Sequence, residues 1–291
     1  SENSLMIRTL ETLDEIFPLE NLQECIWGYG KSGTAPLYPA RALFAISRSG
    51  GHVGGAFLNN QLIGFSVAWI GRIKEHGIFY LHSQLVGIRE EYRGASIGYQ
   101  LKLQQREYAL THKLDLIKWT FDPLASVNAK LNIHKIGAVI QKYQPNYYSK
   151  INSNFNRNLP SDRVWAEWHI TSWRVKKRLI NKMSARQFSE IQSHKITSVL
   201  TKKKRPERDA LFNCDLEKND RELLIEIPTN YQFLIKKKPN LVLKWQTNIR
   251  KVLQYYLEQG YTVTDFLTLP PPQSSSYYLM ERDSLLNILR C

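Results

Sequence analysis

The sequence predicts an α/β fold, with a mixed and mostly antiparallel central sheet flanked by helices. Two observations carry this prediction. The apolar runs Val53–Leu58 and Leu62–Ile70 are joined by the pair Asn59-Asn60, which is typical of a hairpin between antiparallel strands. Further along, the apolar run Ile78–Ile88 is followed by a helical segment and then by the buried run Leu116–Phe121, an order that predicts strand–helix–strand.

The remaining elements of the first 150 residues are two helices before the hairpin, and a helix and an extended segment after the strand–helix–strand unit. Apolar residues at helical spacing predict the first helix, and Gly137 is a stop signal for the last one. The predicted bounds are Thr12–Trp27, Pro39–Arg48 and Ser126–Ile136 for the helices, and Ala138–Tyr148 for the extended segment.

The second half predicts a C-terminal α/β subdomain, which divides the chain into residues 1–150 and 151–291. Its strand–helix–strand–strand order echoes the end of the first half. It either extends the sheet or forms a degenerate second copy, and we favour a subdomain packed on the first. The predicted elements are strands over Asp162–Trp173, Glu222–Ile227, Tyr261–Leu267 and Tyr277–Glu281, a polar loop over residues 201–221, and a helix over residues 240–259.

The turn before the helix that ends near His112 has the composition of a phosphate site. It contains Arg93, Gly94, Ser96 and Gly98, directly ahead of the helix. The first N–H groups of a helix have no intrahelical acceptor, and the helix dipole favours negative charge there. Glycine lets the backbone curl and approach a ligand closely. We therefore predict that this turn binds a phosphate or pyrophosphate rather than serving only as a helix entry.

The segments Val86-Gly87-Ile88 and Tyr92–Gly98 resemble the acyl-CoA pyrophosphate loop of the GNAT superfamily of N-acyltransferases, written Arg/Gln-x-x-Gly-x-Gly/Ala. Arg93 and Gly98 fit this pattern, while Ser96 replaces the middle glycine and still offers its backbone N–H. The resemblance implies a GNAT-like domain over about residues 5–150, with acetyl-CoA or another acyl-CoA as co-substrate. The cofactor-binding residues that it implies are Val86, Gly87, Ile88, Arg93, Gly94, Ala95, Ser96, Ile97, Gly98 and Asn128.

Further segments resemble a subgroup of longer GNAT acetyltransferases that carry a C-terminal half. This resemblance implies an acyltransferase that acts on an amine, but it names no acceptor. Protein and small-molecule amines both remain open, as does the length of the acyl chain. The matching segments are Lys118–Leu124, Asn128-Ala129, Asn146–Tyr148, Glu226–Pro228 and Gly260–Phe266.

Transfer of an acyl group to an amine requires a proton acceptor, and His82 is the candidate. It lies eleven residues before Arg93, on the strand where many GNAT members place a catalytic glutamate. A free imidazole is largely neutral near pH 7 and can accept a proton directly or through water. The alternative is a hydrogen-bonded histidine with a purely structural role.

Several residues are candidates for the general acid. GNAT enzymes often have a tyrosine where this chain has Ile133, and a thiolate leaves readily because its pKa is close to neutral. Asp122, which precedes Pro123, either binds a cationic amine or caps the following helix, and we favour the cap. The candidates for the acid are Asn132, His134, Tyr143, Tyr147 and Tyr148, of which Tyr147 is taken as catalytic.

The net charge of +14 indicates either an anionic partner or a lysine-rich surface. The clusters Lys202–Arg205 and Lys236–Lys238 lie outside the phosphate turn and lack the interleaved aromatic residues of a single-strand binding surface. Nucleic acid is therefore the third hypothesis. The second is a non-catalytic acyl-CoA-binding sensor or scaffold module, which Ser96 and the missing tyrosine motivate.

Other function classes find little support in the sequence. The three cysteines are far apart and odd in number, and the histidines lack the spacing of a metal site, so we expect no disulfide and no metal. No apolar run approaches the roughly 18 residues that span a bilayer, and the acidic N-terminal segment is unlike a secretory signal. A cytoplasmic protein without a membrane partner is therefore expected.

Overall fold

A computed structural model describes residues 4–28, 38–148, 159–180, 196–203, 211–269 and 275–290. These residues form two compact units, of which the first ends at Trp119 and the second begins at Thr120. The functional division at residue 150 stays a prediction. None of the helices in the described ranges has the length and apolar character that crossing a bilayer requires.

The first unit consists of a sheet with helices packed on it. Its elements are β1 (Leu5–Thr9), α1 (Leu13–Ile16), α2 (Pro18–Trp27), α3 (Ala40–Arg48), β2 (His52–Leu58), β3 (Gln61–Arg72), β4 (Phe79–Ile88), α4 (Ile97–Thr111) and β5 (Leu116–Phe121, whose last two residues belong to the second unit).

The strands of the first unit lie in the order β1-β2-β3-β4-β5. Neighbours are antiparallel as far as β4, whereas β4 and β5 are parallel. Asn59 and Asn60 have φ angles of 49° and 63°, the left-handed values that a tight two-residue hairpin turn requires. The predicted α/β class, with a mostly antiparallel sheet flanked by helices, is confirmed.

The segment predicted as one helix over Thr12–Trp27 is two helices. Thr12 caps α1: its hydroxyl accepts a hydrogen bond from the Glu15 N–H, while the Glu15 carboxylate accepts from the Thr12 N–H. Pro18 then begins α2, because a proline has no N–H to donate to the preceding turn and suits the first position of a new helix.

The core of the first unit lies between the sheet and helices α1 to α3, and a smaller apolar cluster joins α4 to β2 and β3. The main cluster includes Leu10, Ile16, Leu19, Leu22, Ile26, Leu43, Val53, Phe65 and Val67. The smaller cluster contains Ala56, Ile63, Ile97 and Leu101. Together these contacts fix α4, and with it the turn that precedes the helix, against the sheet.

The second unit is also a sheet with helices. Its elements are α5 (Ser126–Ala129, continued by a π-helical turn over Lys130–Lys135), β6 (Val139–Gln144), β7 (Arg163–His169), α6 (Trp173–Ile180), β8 (Thr197–Lys203), β9 (Leu211–Cys214), β10 (Glu222–Pro228), α7 (Tyr231–Lys237), α8 (Pro239–Glu258), β11 (Thr262–Thr268), β12 (Ser275–Glu281) and α9 (Leu285–Arg290). The strand order is β7-β6-β11-β12-β10-β8-β9, and β10 and β8 form its parallel pair.

Some expectations for the second unit are wrong. Residues 201–203 and 211–214 belong to β8 and β9, which pair antiparallel, instead of lying in a polar loop. The predicted strand Asp162–Trp173 ends at His169, and Trp173 begins α6. Residues 204–210, including part of the first basic cluster, lie outside the described residues.

Candidate functional site

The predicted phosphate turn is an exposed loop between β4 and α4. Gly94 has a φ of 88°, and no heavy atom lies within 4 Å of the position that a Cβ would occupy. Ser96 also has a left-handed φ, of 60°, and directly precedes the first helical residue, Ile97. The chain therefore curls twice into left-handed conformations before the helix begins, and the loop is open to solvent.

The start of α4 offers donors without acceptors of its own. Ser96 makes no side-chain cap, and the N–H groups of the first helical turn have no carbonyl within the helix to bind. That turn contains no acidic residue. The Arg93 side chain is held nearby, because its Nε donates to the Ile88 carbonyl at 3.3 Å. The loop thus has the donor geometry and the positive helix terminus that suit a diphosphate.

Just before this loop, strand β4 has a main-chain edge with no ladder partner among the residues that the structure describes, which we call its free edge. The ladder between β4 and β5 consists of Leu81 with Ile117 and His82 with Lys118, while β4 continues to Ile88. The Arg89 N–H donates to the Ile63 carbonyl of the neighbouring strand.

Hydrogen bonding alternates along an antiparallel ladder. Because Arg89 points its main-chain groups toward β3, those of Val86 and Ile88 point the other way, toward the side where β5 has ended its pairing. The Ile88 carbonyl on this side accepts a hydrogen bond from Arg93, so an extended chain with amide groups would find the main-chain groups of Val86 and the Ile88 N–H there.

Gly87 is required by packing as well as by its place on this strand. A Cβ at Gly87 would lie 2.8 Å from the Phe65 ring, closer than real Cβ atoms come, and 3.0 Å from the Trp27 ring, which is a tight contact. The glycine therefore lets two aromatic rings from β3 and α2 pack directly on the backbone of β4.

The proposed base, His82, lies half-buried on β4 beside a β-bulge. The β3–β4 register shifts at this point, and Gln84 is the extra residue. The His82 ring is 5.3 Å from the Trp69 ring, and its Nε2 is 3.0 Å from the Gln84 Oε1. Burial lowers the pKa of His82 below its usual value, and the charge of the nearby Lys118 adds to the shift. The imidazole is therefore neutral at pH 7.

Gln84 links His82 to a tyrosine that is distant in sequence. The Gln84 Nε2 donates to the Tyr38 hydroxyl at 2.9 Å. His82, Gln84 and Tyr38 thus form a hydrogen-bonded row in the first unit. Because Nε2 of His82 is hydrogen-bonded to Gln84, a proton that the ring takes up has to bind its other nitrogen, Nδ1, unless the hydrogen bond to Gln84 breaks.

Asn128 and Tyr147, the other two predicted site residues, belong to the second unit. Asn128 is exposed on α5. Tyr147 lies in the turn after β6, where its N–H donates to the Ser161 carbonyl and its ring contacts Tyr148 edge-on at 4.6 Å. Their roles in acyl transfer stay predictions.

The other candidates for the general acid have partners within the second unit. The Tyr143 hydroxyl donates to the buried Asp162 carboxylate at 2.5 Å, and burial raises the pKa of Tyr143 far above its usual value. The His134 Nδ1 lies 3.0 Å from the Asp265 carboxylate, which also pairs with Arg178. These contacts tie both side chains into the fold of the second unit.

The prediction that Asp122 caps the following helix is wrong, because the N-cap residue of α5 is Ala125 and no side chain caps that helix. The Asp122 carboxylate instead accepts the Leu124 N–H of the preceding turn at 2.9 Å and the Tyr231 hydroxyl at 2.6 Å. Burial raises the pKa of Asp122, against the opposing effect of these hydrogen bonds.

Sequence reasoning missed the polar residues that surround His82. Lys102 and Gln105 of α4 contact Ser83 of β4, while Tyr38 reaches Gln84 from the start of α3. Tertiary contact alone brings them together, but one signal was available. Lys102 and Gln105 fall at helical positions that face the sheet, where an apolar residue is expected.

No group of three or more histidine, cysteine, aspartate or glutamate side chains is arranged to hold a metal ion within the described ranges. No protein-family model matches the chain, and no curated protein matches it.

The chain is similar in structure to several solved acetyltransferases. One, the IAA acetyltransferase from Bacillus cereus ATCC 14579, is 16% identical, with 56% of this chain and 98% of that one covered and a TM-score of 0.41. A GNAT family acetyltransferase from Elizabethkingia anophelis, with acetyl-CoA bound, is 15% identical over 58% of this chain and 99% of that one, with a TM-score of 0.44.

The paiA N-acetyltransferase from Thermoplasma acidophilum, in complex with coenzyme A, is 17% identical over 57% of this chain and 99% of that one, with a TM-score of 0.40. Identities and TM-scores this low do not carry a functional assignment, which has to rest on the residues of the chain itself.

Proposed function

We propose that this chain is an acyl-CoA-dependent N-acyltransferase, with acetyl-CoA as the first candidate donor and an amine as acceptor. The observation that carries the proposal is the sequence of two features along one stretch of chain. The free edge of β4 at Val86 and Ile88 is followed directly by the loop over residues 93–98, which leads into the first N–H groups of α4, where no side chain caps the helix. Coenzyme A has amides in its pantetheine arm and a diphosphate at the next position, so both features match one ligand.

In this proposal the loop holds the diphosphate and the β4 edge binds the arm through its main chain. An N–H of that edge stabilises the oxyanion that forms when the amine attacks the thioester carbonyl. His82 accepts the proton of the attacking amine, directly or through water, because its lowered pKa keeps it neutral. The thiolate then leaves. Asn128 and Tyr147 stay the proposed further contact and acid.

The test combines acetyl-CoA with a panel of amines and measures release of the free thiol. His82→Gln is expected to lower this rate at least tenfold, while leaving the dissociation constant for coenzyme A unchanged. His112→Gln is the matched control, since His112 is exposed at the end of α4. The acid limb of the wild-type pH–rate profile should have its midpoint below pH 6.5, because the pKa of His82 is lowered. Equal rates in both variants would contradict the role of His82.

A second candidate is an acyl-CoA-binding module without turnover. The observation that favours it is the contact between Nε2 of His82 and Gln84, which occupies one of the two ring nitrogens. Coenzyme A that binds tightly, with no thiol release on any amine of the panel, would favour this candidate over the enzyme.

A further inference from the structure

Lys102 is a buried amine in the first unit that the proposed reaction does not use. It lies on α4 and has only 4% of its surface exposed. Its Nζ is 2.8 Å from the Ser83 Oγ on β4 and 3.5 Å from the centre of the Trp119 ring on β5. The amine is therefore enclosed between side chains of the two parallel strands.

The direction of each hydrogen bond can be assigned from the partners. The Ser83 hydroxyl donates to the Gln105 Oε1 at 2.8 Å, so its own proton is used and it accepts from Lys102. The face of an aromatic ring is electron-rich, so the amine presents a second N–H to Trp119. The tetrahedral nitrogen has four positions, of which these two N–H groups and the bond to Cε occupy three. The fourth holds either a further N–H, in the charged amine, or a lone pair, in the neutral amine.

The surroundings favour the lone pair. No carboxylate pairs with Lys102 within the described residues, and a buried charge without such a partner is costly. Burial lowers the pKa of Lys102 well below its usual value. A neutral amine is the nucleophilic form, whereas an exposed lysine is almost entirely protonated at pH 7.

The position of this amine relates it to the proposed donor site. Ser83 and Trp119 each follow directly after the last ladder pair of β4 and β5, His82 with Lys118. The Lys102 amine thus lies where the two strands cease to pair, at the start of the free edge of β4.

We propose that Lys102 is itself an acyl acceptor, and that the chain acylates this lysine when it binds an acyl-CoA thioester; the inference rests on the proposed function. The Nζ lone pair forms the new C–N bond to the thioester carbonyl carbon, and the C–S bond breaks with its electron pair leaving on sulfur. The proton released from Nζ is taken by the thiolate. The products are an Nε-acyl-lysine and free coenzyme A.

The test incubates the wild-type chain with acetyl-CoA at pH 6.5 and pH 8.5 and quantifies acetylation of every lysine by mass spectrometry of peptides. At pH 6.5, Lys102 is expected to be modified at least tenfold faster than the exposed Lys113. The rate of modification of Lys102 should be little different at pH 8.5. Exposed amines in general gain about tenfold in reactivity per pH unit below their pKa, so the two pH values distinguish a buried neutral amine from exposed ones. Lys102→Met, which keeps the length of the side chain, confirms the assignment of the modified peptide.

The outcomes separate this inference from the proposed function. Binding of acetyl-CoA by calorimetry, with Lys102 unmodified, overturns the inference and leaves the acyl-CoA site intact. If acetyl-CoA does not bind, the proposed function fails. The reactivity of Lys102 is then tested with S-acetyl-N-acetylcysteamine, which has the thioester without the diphosphate. Modification of Lys102 by this short thioester, with the same flat pH response, supports the reactive amine; no modification overturns it.

Discussion

Gly94→Asp tests the phosphate loop with a charge and a backbone conformation together. Gly94 has a φ of 88° with open space around the missing Cβ, so a new side chain meets no steric obstacle. The left-handed backbone costs an L-residue about 1 kcal/mol, and aspartate tolerates it better than most residues. A carboxylate about 5 Å from a diphosphate with two charges adds roughly 1.5 kcal/mol of repulsion in water. The backbone cost applies to the free and the bound chain alike, so the repulsion of roughly 1.5 kcal/mol alone predicts a loss of affinity for coenzyme A of about tenfold.

Gly50→Asp is the matched control for this change. Gly50 belongs to the same unit, has a φ of 84° and also has no heavy atom within 4 Å of the Cβ position. It therefore adds the same charge and a similar backbone cost outside the loop. Gly94→Ala separates the contributions, since it keeps the backbone cost and removes the charge.

The assay is isothermal titration of each variant with coenzyme A and, separately, with pantetheine, which has no diphosphate. Gly94→Asp should weaken coenzyme A and leave pantetheine unaffected, while Gly50→Asp should change neither. Equal affinities for coenzyme A in the two aspartate variants would refute the assignment of the diphosphate to this loop.

Three further predictions concern stability. Burial lowers the pKa of His52 from 6.5 to about 4. Between these two pH values only the unfolded chain binds the proton, so the free energy of unfolding should fall by about 3 kcal/mol as the pH drops from 7 to 4. Urea unfolding of His52→Gln should show a smaller fall. Gly87→Ala should lower the unfolding free energy by about 1–3 kcal/mol, because its methyl group meets the Trp27 ring, and an unchanged urea midpoint would disprove this packing. Arg250→Met should lower the unfolding free energy by about 3 kcal/mol in the same assay, since it leaves the buried Asp162 carboxylate without its paired cation. A loss below about 1 kcal/mol would show that water replaces the arginine.

The parts of the fold that local patterns determine were predictable from the sequence. The hairpin at Asn59-Asn60 requires two left-handed residues, and asparagine accepts that conformation more readily than most. Strand β5 has an apolar pattern that specifies its type, and the predicted bounds of β5 and α4 agree closely with the structure. These elements depend on neighbours in sequence, so no knowledge of distant contacts was needed.

The missed elements depend on distant contacts or lack an apolar pattern. Strand β1 is mostly exposed and is held by its pairing with β2. Strands β8 and β9 carry few buried apolar residues and form through their mutual ladder and the pairing of β8 with β10. A polar segment of this kind is typical of a loop when only the sequence is considered.

In the candidate site, too, the local features were predictable from the sequence and the distant contacts were not. The loop over residues 93–98 is a local feature of strand, glycine and helix, so the sequence reveals it. The environment of His82 is not local, because Tyr38 lies 46 residues from Gln84 and Lys102 lies 19 residues from Ser83. Only the packing of α4 and α3 on the sheet brings these polar groups together.

The measurement that bears most directly on the central claim is amide chemical-shift mapping of the ¹⁵N-labelled chain during titration with coenzyme A. We expect the largest shifts at the N–H groups of Ser96, Ile97 and Gly98, with smaller ones at Val86 and Ile88. Saturable shifts confined to other parts of the chain, or none at millimolar coenzyme A, would contradict a diphosphate held at the start of α4.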